Sequence, residues 1–113
     1  MKTTMRRILS TILLSLALAS GCSSITPVSQ TTHAAVPSDQ VEVLYQEPQR
    51  SYEVVALISY EGATRFATIP GVIKKCRELA AQAGADALIV TSTYDQTFNT
   101  AAKASGKAIK WKP

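Results

Sequence analysis

The fold is decided by residues 68–93, TIPGVIKKCRELAAQAGADALIVTST, which predict an amphipathic helix, a glycine stop and a buried strand. At about 100° per residue, the apolar side chains of the helical part share one arc of about 120°; they are Ile69, Val72, Ile73, Cys76, Leu79, Ala80 and Ala83. Gly84 follows the last of them, where helices commonly end with a residue at positive φ. The β-branched run over residues 85–93 then predicts a strand against which the apolar stripe packs.

Two strands are predicted before this helix. Residues 41–45 (VEVLY) form a short strand, which ends near Pro48 because proline cannot donate to a strand ladder. Residues 52–61 (YEVVALISYE) form a longer strand that ends at Gly62. Strict alternation along this strand places its odd-numbered and even-numbered side chains on opposite faces, and both faces are apolar in the middle.

One more strand is predicted after a long loop over residues 94–105. Residues 107–112 (KAIKWK) alternate apolar side chains with lysines, a pattern that suits the edge of a sheet. Thr68 can cap the helix, with Pro70 in its first turn. The prediction is a small α+β domain over residues 41–113, with a four-stranded sheet and one amphipathic helix packed on one face.

The net charge of +4 does not indicate nucleic-acid binding, because it is unevenly distributed. Three of the twelve Lys and Arg residues precede residue 22, and none of the eight acidic residues does. The remainder carries nine basic against eight acidic side chains, a net charge of +1. The total length of 113 residues fits one small domain.

Residues 1–21 have the pattern of a secretory signal peptide. A basic start, MKTTMRR, precedes the apolar core ILSTILLSLALA. This core is shorter than the roughly 20 residues that a membrane-spanning helix needs. The small residues Ala19, Ser20 and Gly21 then lead directly into Cys22, a run that resembles the lipobox of bacterial lipoproteins. The family usually has Leu where this chain has Ala19.

The lipobox resemblance implies cleavage between Gly21 and Cys22 and acylation of Cys22, with diacylglycerol and palmitate as its lipids. Several acyl chains give effectively permanent anchoring, whereas one chain alone is reversible. Ser23 after the cysteine implies transfer to the periplasmic side of the outer membrane in a Gram-negative source. The alternative is an ordinary signal peptide cut after Ala19 or Gly21, which leaves Cys22 as a free thiol.

Residues 22–40 are predicted as the acylated cysteine followed by a flexible linker. The stretch is rich in Ser, Thr, Gln and Pro and lacks apolar periodicity, so it buries too little surface to offset its ordering entropy. The only histidine of the chain, His33, lies in it and is interpreted as a solvated side chain rather than a ligand or a base.

The predicted domain lacks the residues of catalysis and of metal binding. It contains no histidine, so histidine-activated nucleophiles are excluded, and a soft-metal site needs several N or S ligands. Cys76 lies within the apolar arc and is interpreted as a buried small hydrophobe. We expect neither an enzyme nor a cofactor-binding protein, and no metal site.

The residues from Leu79 to Val90, LAAQAGADALIV, with the later GKAIK of residues 106–110, resemble a recurrent small α/β domain of bacterial envelope lipoproteins. It occurs in the YbjQ-type family and in the Rcs envelope-stress-sensor lipoprotein. The resemblance covers residues 41–113 and implies a fold. The disulfides of the stress sensor and the metal-binding label of the YbjQ family do not carry over, because Cys76 is the only cysteine of the domain.

These features together predict a non-catalytic, lipid-anchored envelope protein that acts through protein contacts in envelope maintenance or stress signalling. The alternative is a lipoprotein that binds a small ligand or a cell-wall fragment at the loop over residues 94–105. One helix covers one face of the sheet only, so the second apolar face is expected to be buried by a second copy, in a homo-oligomer, or by a partner. The rival covers are the linker and the 94–105 loop.

Overall fold

The computed structural model describes residues 22–113, and the signal peptide predicted for residues 1–21, with its cleavage after Gly21, lies outside them. The elements follow in the order β1 (Cys22–Pro27), a short 3₁₀ helix (Ser38–Gln40), β2 (Glu42–Leu44), β3 (Tyr52–Glu61), α1 (Ile69–Gln82), β4 (Ala87–Tyr94) and β5 (Lys103–Trp111). The predicted helix and the long strand before it are confirmed.

The helix α1 begins and ends as its sequence predicts. The Thr68 hydroxyl accepts a hydrogen bond from the Gly71 N–H at 3.4 Å, with a proline in the first turn. Gly84 follows the helix with φ of 76°, the conformation that glycine adopts at little cost. The stripe buries Val72, Cys76 and Ala80 against the sheet, so the prediction of one helix on one face is confirmed.

The sheet has five strands rather than the four predicted, in the order β1-β3-β5-β4-β2. The strands β2 and β4 are parallel, and all other neighbours are antiparallel. The sheet is therefore mixed. The chain passes from β2 to β3 through residues 45–51 on one face of the sheet, and from β3 to β4 through α1 on the other face. β5 lies between β3 and β4 and is antiparallel to both.

The fifth strand, β1, comes from residues that the sequence assigns to the flexible linker. It pairs with β3 over six positions, from Cys22 opposite Glu61 to Pro27 opposite Ala56. Ile25 packs against the buried core under the helix. The alternation of Ile25 with Ser and Thr supports a strand only because β3 offers it a partner edge, and such pairing leaves no signal in the sequence.

The rest of the predicted linker packs against α1 near the carboxyl end of the helix. The Val36 N–H donates to the Ala81 carbonyl oxygen at 2.9 Å. The Arg77 side chain donates to the carbonyl oxygens of Asp39, at 2.9 Å, and Val41, at 2.7 Å. Backbone contacts thus hold these residues against the domain.

β5 lies in the centre of the sheet, which corrects the prediction that it is an edge strand. Two of its lysines pair with carboxylates: Lys107 with Glu47 at 2.7 Å and Lys110 with Asp86 at 3.5 Å. β5 also starts earlier than predicted, at Lys103, so the loop after β4 covers residues 95–102 only. Lysine alternation indicates solvated or paired amines and does not distinguish an edge strand from a central strand with one open face.

A β-bulge at Val55 changes which side chains of β3 face the helix. Val54 pairs with Ile109, whereas Ala56 pairs with the next residue back, Ala108. Tyr52 and Val54 therefore pack on the face away from the helix, and Ala56 and later even-numbered residues pack on the helix face. The strict alternation assumed from the sequence fails at this position because a bulge inserts one residue.

The face of the sheet away from α1, called the open face below, is covered in part by the chain itself. Ile109, Ile89 and Ala87 are at most 2% exposed there, under Leu44, Tyr52, Val54 and Trp111. The connection over residues 45–51 crosses this face, and Glu47 bonds to Lys107 and to the Tyr52 hydroxyl. The sequence does not indicate that this connection covers part of the open face. Burial of the same face in a homo-oligomer stays a prediction.

Candidate functional site

Cys22, the predicted lipidation site, is the first residue of the edge strand β1 and is exposed. Across the sheet it is level with Glu61 of β3, then Lys103 of β5 and Tyr94 of β4. This row marks one end of the sheet, called the Cys22 end below. Residues 62–68 and 95–102 leave the sheet at this end, so an acyl group on Cys22 would be joined to the domain without an intervening linker.

The two loops of the Cys22 end expose aromatic side chains. Phe66 is 71% exposed, Phe98 is 83% exposed and Tyr94 is 62% exposed. The Arg65 guanidinium lies 5.0 Å from the Phe66 ring centroid and 5.9 Å from that of Phe98, so one cation joins the two loops.

Hydrogen bonds within the loops hold these aromatic residues in place. The Phe66 N–H donates to the Thr64 hydroxyl at 3.2 Å. The backbone of Thr97 donates to Thr100 O at 2.9 Å. This group of residues was not predicted from the sequence. The available signal was that both phenylalanines of the chain lie in polar connecting segments rather than in the periodic ones.

The edge strand β1 is flanked by a cleft on each face of the sheet. On the open face, a cleft of about 380 Å³ is lined by Ser24, Thr26, Leu57, Ile58, Ser59, Thr91, Ser105, Gly106 and Lys107. On the helix face, a cleft of about 200 Å³ is lined by Ser23, Tyr60, Lys75, Glu78, Leu79 and Gln82. Leu57 is 47% exposed in the first cleft. The outer edge of β1 pairs with no strand among residues 22–113.

His33 lies in a third cleft, of about 300 Å³, between β1 and the carboxyl end of α1. It packs against Gly84, where an added Cβ would lie 2.6 Å from the His33 Cβ. The His33 Nε2 atom is buried and has no hydrogen-bond partner within residues 22–113. The sequence interpretation of a solvated histidine is therefore corrected, because the segment that carries it folds onto the domain.

Cys76 is 1% exposed, which confirms its interpretation as a buried hydrophobe. Its Sγ donates to the Ala104 carbonyl oxygen at 3.6 Å. Burial raises the pKa of the thiol to about 11, so the thiolate is scarce at neutral pH. Its environment favours packing over redox or nucleophilic chemistry.

Glu47, Tyr52 and Lys107 form a hydrogen-bonded polar group on the open face. The Lys107 amine donates to Glu47 at 2.7 Å and to the Tyr52 hydroxyl at 3.0 Å, and the Tyr52 hydroxyl donates to Glu47. The bonds from Lys107 and Tyr52 lower the pKa of Glu47, and the bonds to Glu47 and Tyr52 raise the pKa of Lys107, because each bond stabilises the charged form. The group fixes the connection over residues 45–51 on the open face.

Among residues 22–113, no group of three or more His, Cys, Asp or Glu side chains is arranged to hold a metal ion. In the same range, the helices are too short or too polar to cross a membrane.

Comparisons with known proteins identify a similar fold. No protein-family model matches the chain, and no curated protein sequence matches it. The crystal structure of the Francisella virulence factor FvfA is similar, with a TM-score of 0.56 over 77% of this chain and 95% of that chain. The two are 15% identical in sequence, so the likeness shows the fold alone. The resemblance to the YbjQ-type and Rcs lipoproteins stays an expectation.

Proposed function

We propose that the protein is a non-catalytic lipoprotein of the bacterial envelope, anchored through Cys22, that binds an extended segment of a partner protein along β1. Such a contact suits envelope maintenance or stress signalling. The observation that carries the proposal is the free edge of β1 between two clefts. In strand addition, the backbone of the free edge supplies affinity, and pockets for alternating side chains supply specificity.

The composition of β1 supports this use of the edge. Natural edge strands are usually shortened, charged or bulged, because an unprotected edge pairs with other chains. β1 has six residues in continuous register with β3 and carries no charged side chain. The opposite edge strand, β2, has three residues and offers much less backbone. A partner is therefore expected at β1.

Site-specific photo-crosslinking in the intact envelope tests the proposal. A photoreactive residue at Ser23 should give one specific adduct. The double substitution Ser24→Lys and Thr26→Lys should abolish it, because both side chains are exposed and lysine discourages edge pairing. The matched control is Gln46→Lys with Gln49→Lys, two exposed positions in the connection over residues 45–51.

The composition of the crosslinked adduct identifies the partner. An adduct with another envelope protein identifies that protein as the partner, and an adduct of two copies of this chain identifies the homo-oligomer. Two outcomes would contradict binding along β1. In the first, the adduct still forms in the variant with lysines at positions 24 and 26. In the second, the control variant loses the adduct to the same extent.

A second candidate function is the binding of a small ligand, and the His33 cleft favours it. The lining of this cleft is mixed: Ser29, Thr31, Thr32 and Gln82 are polar, and Ile25, Pro27, Val55, Ala56 and Ala83 are apolar. Its volume of about 300 Å³ is at the lower end for ligand sites. A ligand with hydroxyl or amide groups, such as a cell-wall fragment, would hydrogen-bond to the buried His33 Nε2.

This candidate places the ligand away from the 94–105 loop that the sequence suggests. Titration with a purified disaccharide-peptide of the cell wall should shift the His33 imidazole resonances in NMR spectra. The substitution His33→Leu should remove the binding, and Tyr45→Ser, at an exposed position, should not. Unchanged His33 resonances at millimolar ligand would contradict it.

A further inference from the structure

The Cys22 end gathers the features of a membrane-contacting surface from separate parts of the chain. The exposed Phe66 comes from the connection between β3 and α1, and the exposed Phe98 from that between β4 and β5. Cys22 belongs to β1, and its row in the sheet ends at Tyr94 of β4. Large apolar side chains at loop tips are costly in water, so their place at the same end of the sheet as the predicted acylation site requires an explanation.

The charged side chains at this end balance each other, and one of them, Arg65, suits contact with a lipid phosphate. Residues 61–68 and 94–103 carry two basic and two acidic side chains: Arg65, Lys103, Glu61 and Asp95. The net charge of these segments is zero, so attraction to anionic lipid is weak. Arg65 makes no ion pair with any residue of 22–113, and its planar guanidinium suits the phosphate that every phospholipid carries.

The opposite end of the sheet has a different character. Trp111, the only tryptophan, ends β5, and Arg50 lies over its ring at 4.9 Å. From Lys103 to Trp111, β5 extends roughly 26 Å at about 3.3 Å per residue. Trp111 is therefore held far from the Cys22 end, which makes it an internal reference for orientation.

We propose that the Cys22 end docks on the bilayer surface, with Phe66 and Phe98 inserted at the boundary of headgroups and acyl chains and Arg65 bound to lipid phosphate. The inference rests on the proposed acylation of Cys22. Amphipathic and aromatic side chains favour this boundary, and the anchor holds the loops next to it. The docked domain stands on the membrane with Trp111 and the His33 cleft directed away from it.

Tryptophan quenching in vesicles tests the orientation. The full acylated protein is reconstituted into phosphatidylcholine vesicles with either plain or brominated acyl chains. The introduced tryptophan of Phe98→Trp, and that of Phe66→Trp, should shift to shorter wavelength and lose emission in the brominated vesicles. Wild-type Trp111 should keep its emission. The matched control is Tyr45→Trp, at a residue that is 66% exposed in the connection between β2 and β3, and it should also keep its emission.

The outcomes distinguish this inference from the proposed function. Absent palmitate labelling of the wild type would remove the anchor and the inference together. If the protein is labelled and stays on vesicles, equal emission of Phe98→Trp in both vesicle types would overturn the docking and leave the anchor intact. Equal emission is also expected if the aromatic loops contact a partner protein instead of lipid, because these vesicles contain no partner protein. Quenching of Trp111 would also overturn the proposed orientation.

Discussion

At the scale of single residues, the two cysteines of the chain lie in opposite environments. Cys22 is exposed at the end of a strand, whereas Cys76 is buried under the helix. The helical periodicity was sufficient to predict the second environment, because position within an apolar stripe depends only on local geometry. The environment of Cys22 depends on the pairing of β1 with β3, which local geometry does not determine.

Cys76 should resist thiol reagents in the native protein and react once denaturant is added. We expect Cys76→Ala to lower the free energy of unfolding by about 1–2 kcal/mol, in the lower range for truncation of a core side chain. Labelling kinetics with and without denaturant, together with a urea titration, measure both effects. Rapid labelling of the folded protein would show that the helix face is open.

The same thiol should make stability depend on pH in alkaline solution. Burial raises the pKa of Cys76 from 9.0 to about 11. Above pH 9 the unfolded chain therefore binds fewer protons than the native one, and stability falls as pH rises. The stability that the buried, protonated thiol contributes is complete below pH 9 and is lost progressively between pH 9 and about pH 11. In urea titrations from pH 8 to 11, wild type should lose more stability than Cys76→Ala.

Two glycines provide a matched pair of backbone substitutions. In Gly84→Ala, the new Cβ would meet Ala34 O and His33 Cβ at 2.6 Å, and φ is 76°, so we expect a clear loss of stability. The backbone strain alone is about 1–2 kcal/mol. In Gly71→Ala, the nearest atom outside the helix backbone is Thr68 Oγ1 at an ordinary 3.4 Å, and alanine should stabilise the helix by about 0.5–1 kcal/mol.

Thermal melts of the two variants measure this contrast. Equal stability of Gly84→Ala and wild type would show that residues 33–34 do not pack against the helix end. The pair thus tests the structure of a segment that was predicted from its composition to be flexible.

At the scale of elements, the helix, the glycine stop and the strand after it were predictable, and the order of strands was not. Helix and strand patterns repeat within about 10–15 residues and reflect one buried face. Strand order depends on pairs that are distant in sequence, such as β3 with β5. The lysines of β5 suggested an edge, but Glu47 and Asp86 pair two of them in the centre of the sheet.

The site was less predictable than the fold for a related reason. Phe66, Phe98 and Arg65 come together only because two connections leave the same end of the sheet. Each looks like an isolated loop residue in the sequence. Cys22 alone was proposed from the sequence, because of the small residues that precede it, and its acylation stays a prediction.

Hydrogen exchange tests whether β1 is an ordered strand. The amides of β1 that face β3 should exchange much more slowly than those of residues 95–100, which lie in an exposed loop. Ile25→Asp should reduce this protection and Thr26→Asp should not, because Ile25 packs against the core and Thr26 is exposed. Exchange of β1 at the rate of an unstructured peptide would restore the flexible-linker prediction.

At the scale of the whole molecule, the proposed lipid anchor predicts where the protein is found. Cys22→Ala should release the protein from the membrane fraction and abolish its labelling by radioactive palmitate. Ser23→Ala, at the next residue, is the control and should keep both, because it leaves the acylated thiol in place. Unchanged fractionation of Cys22→Ala, with no labelling of wild type, would show that the ordinary signal peptide is the correct interpretation.

For the proposed lipoprotein, the position of Cys22 at the start of β1 would set an order of events during biogenesis. A peptidase that cuts before Cys22 must hold the flanking residues in its own active site, which excludes their pairing with Glu61 and Tyr60. The proposed cleavage and acylation would therefore come before β1 joins the sheet, and the closing of the sheet edge would be the last step of maturation. An uncleaved precursor would keep β3 as an unpaired edge while still attached to the export machinery.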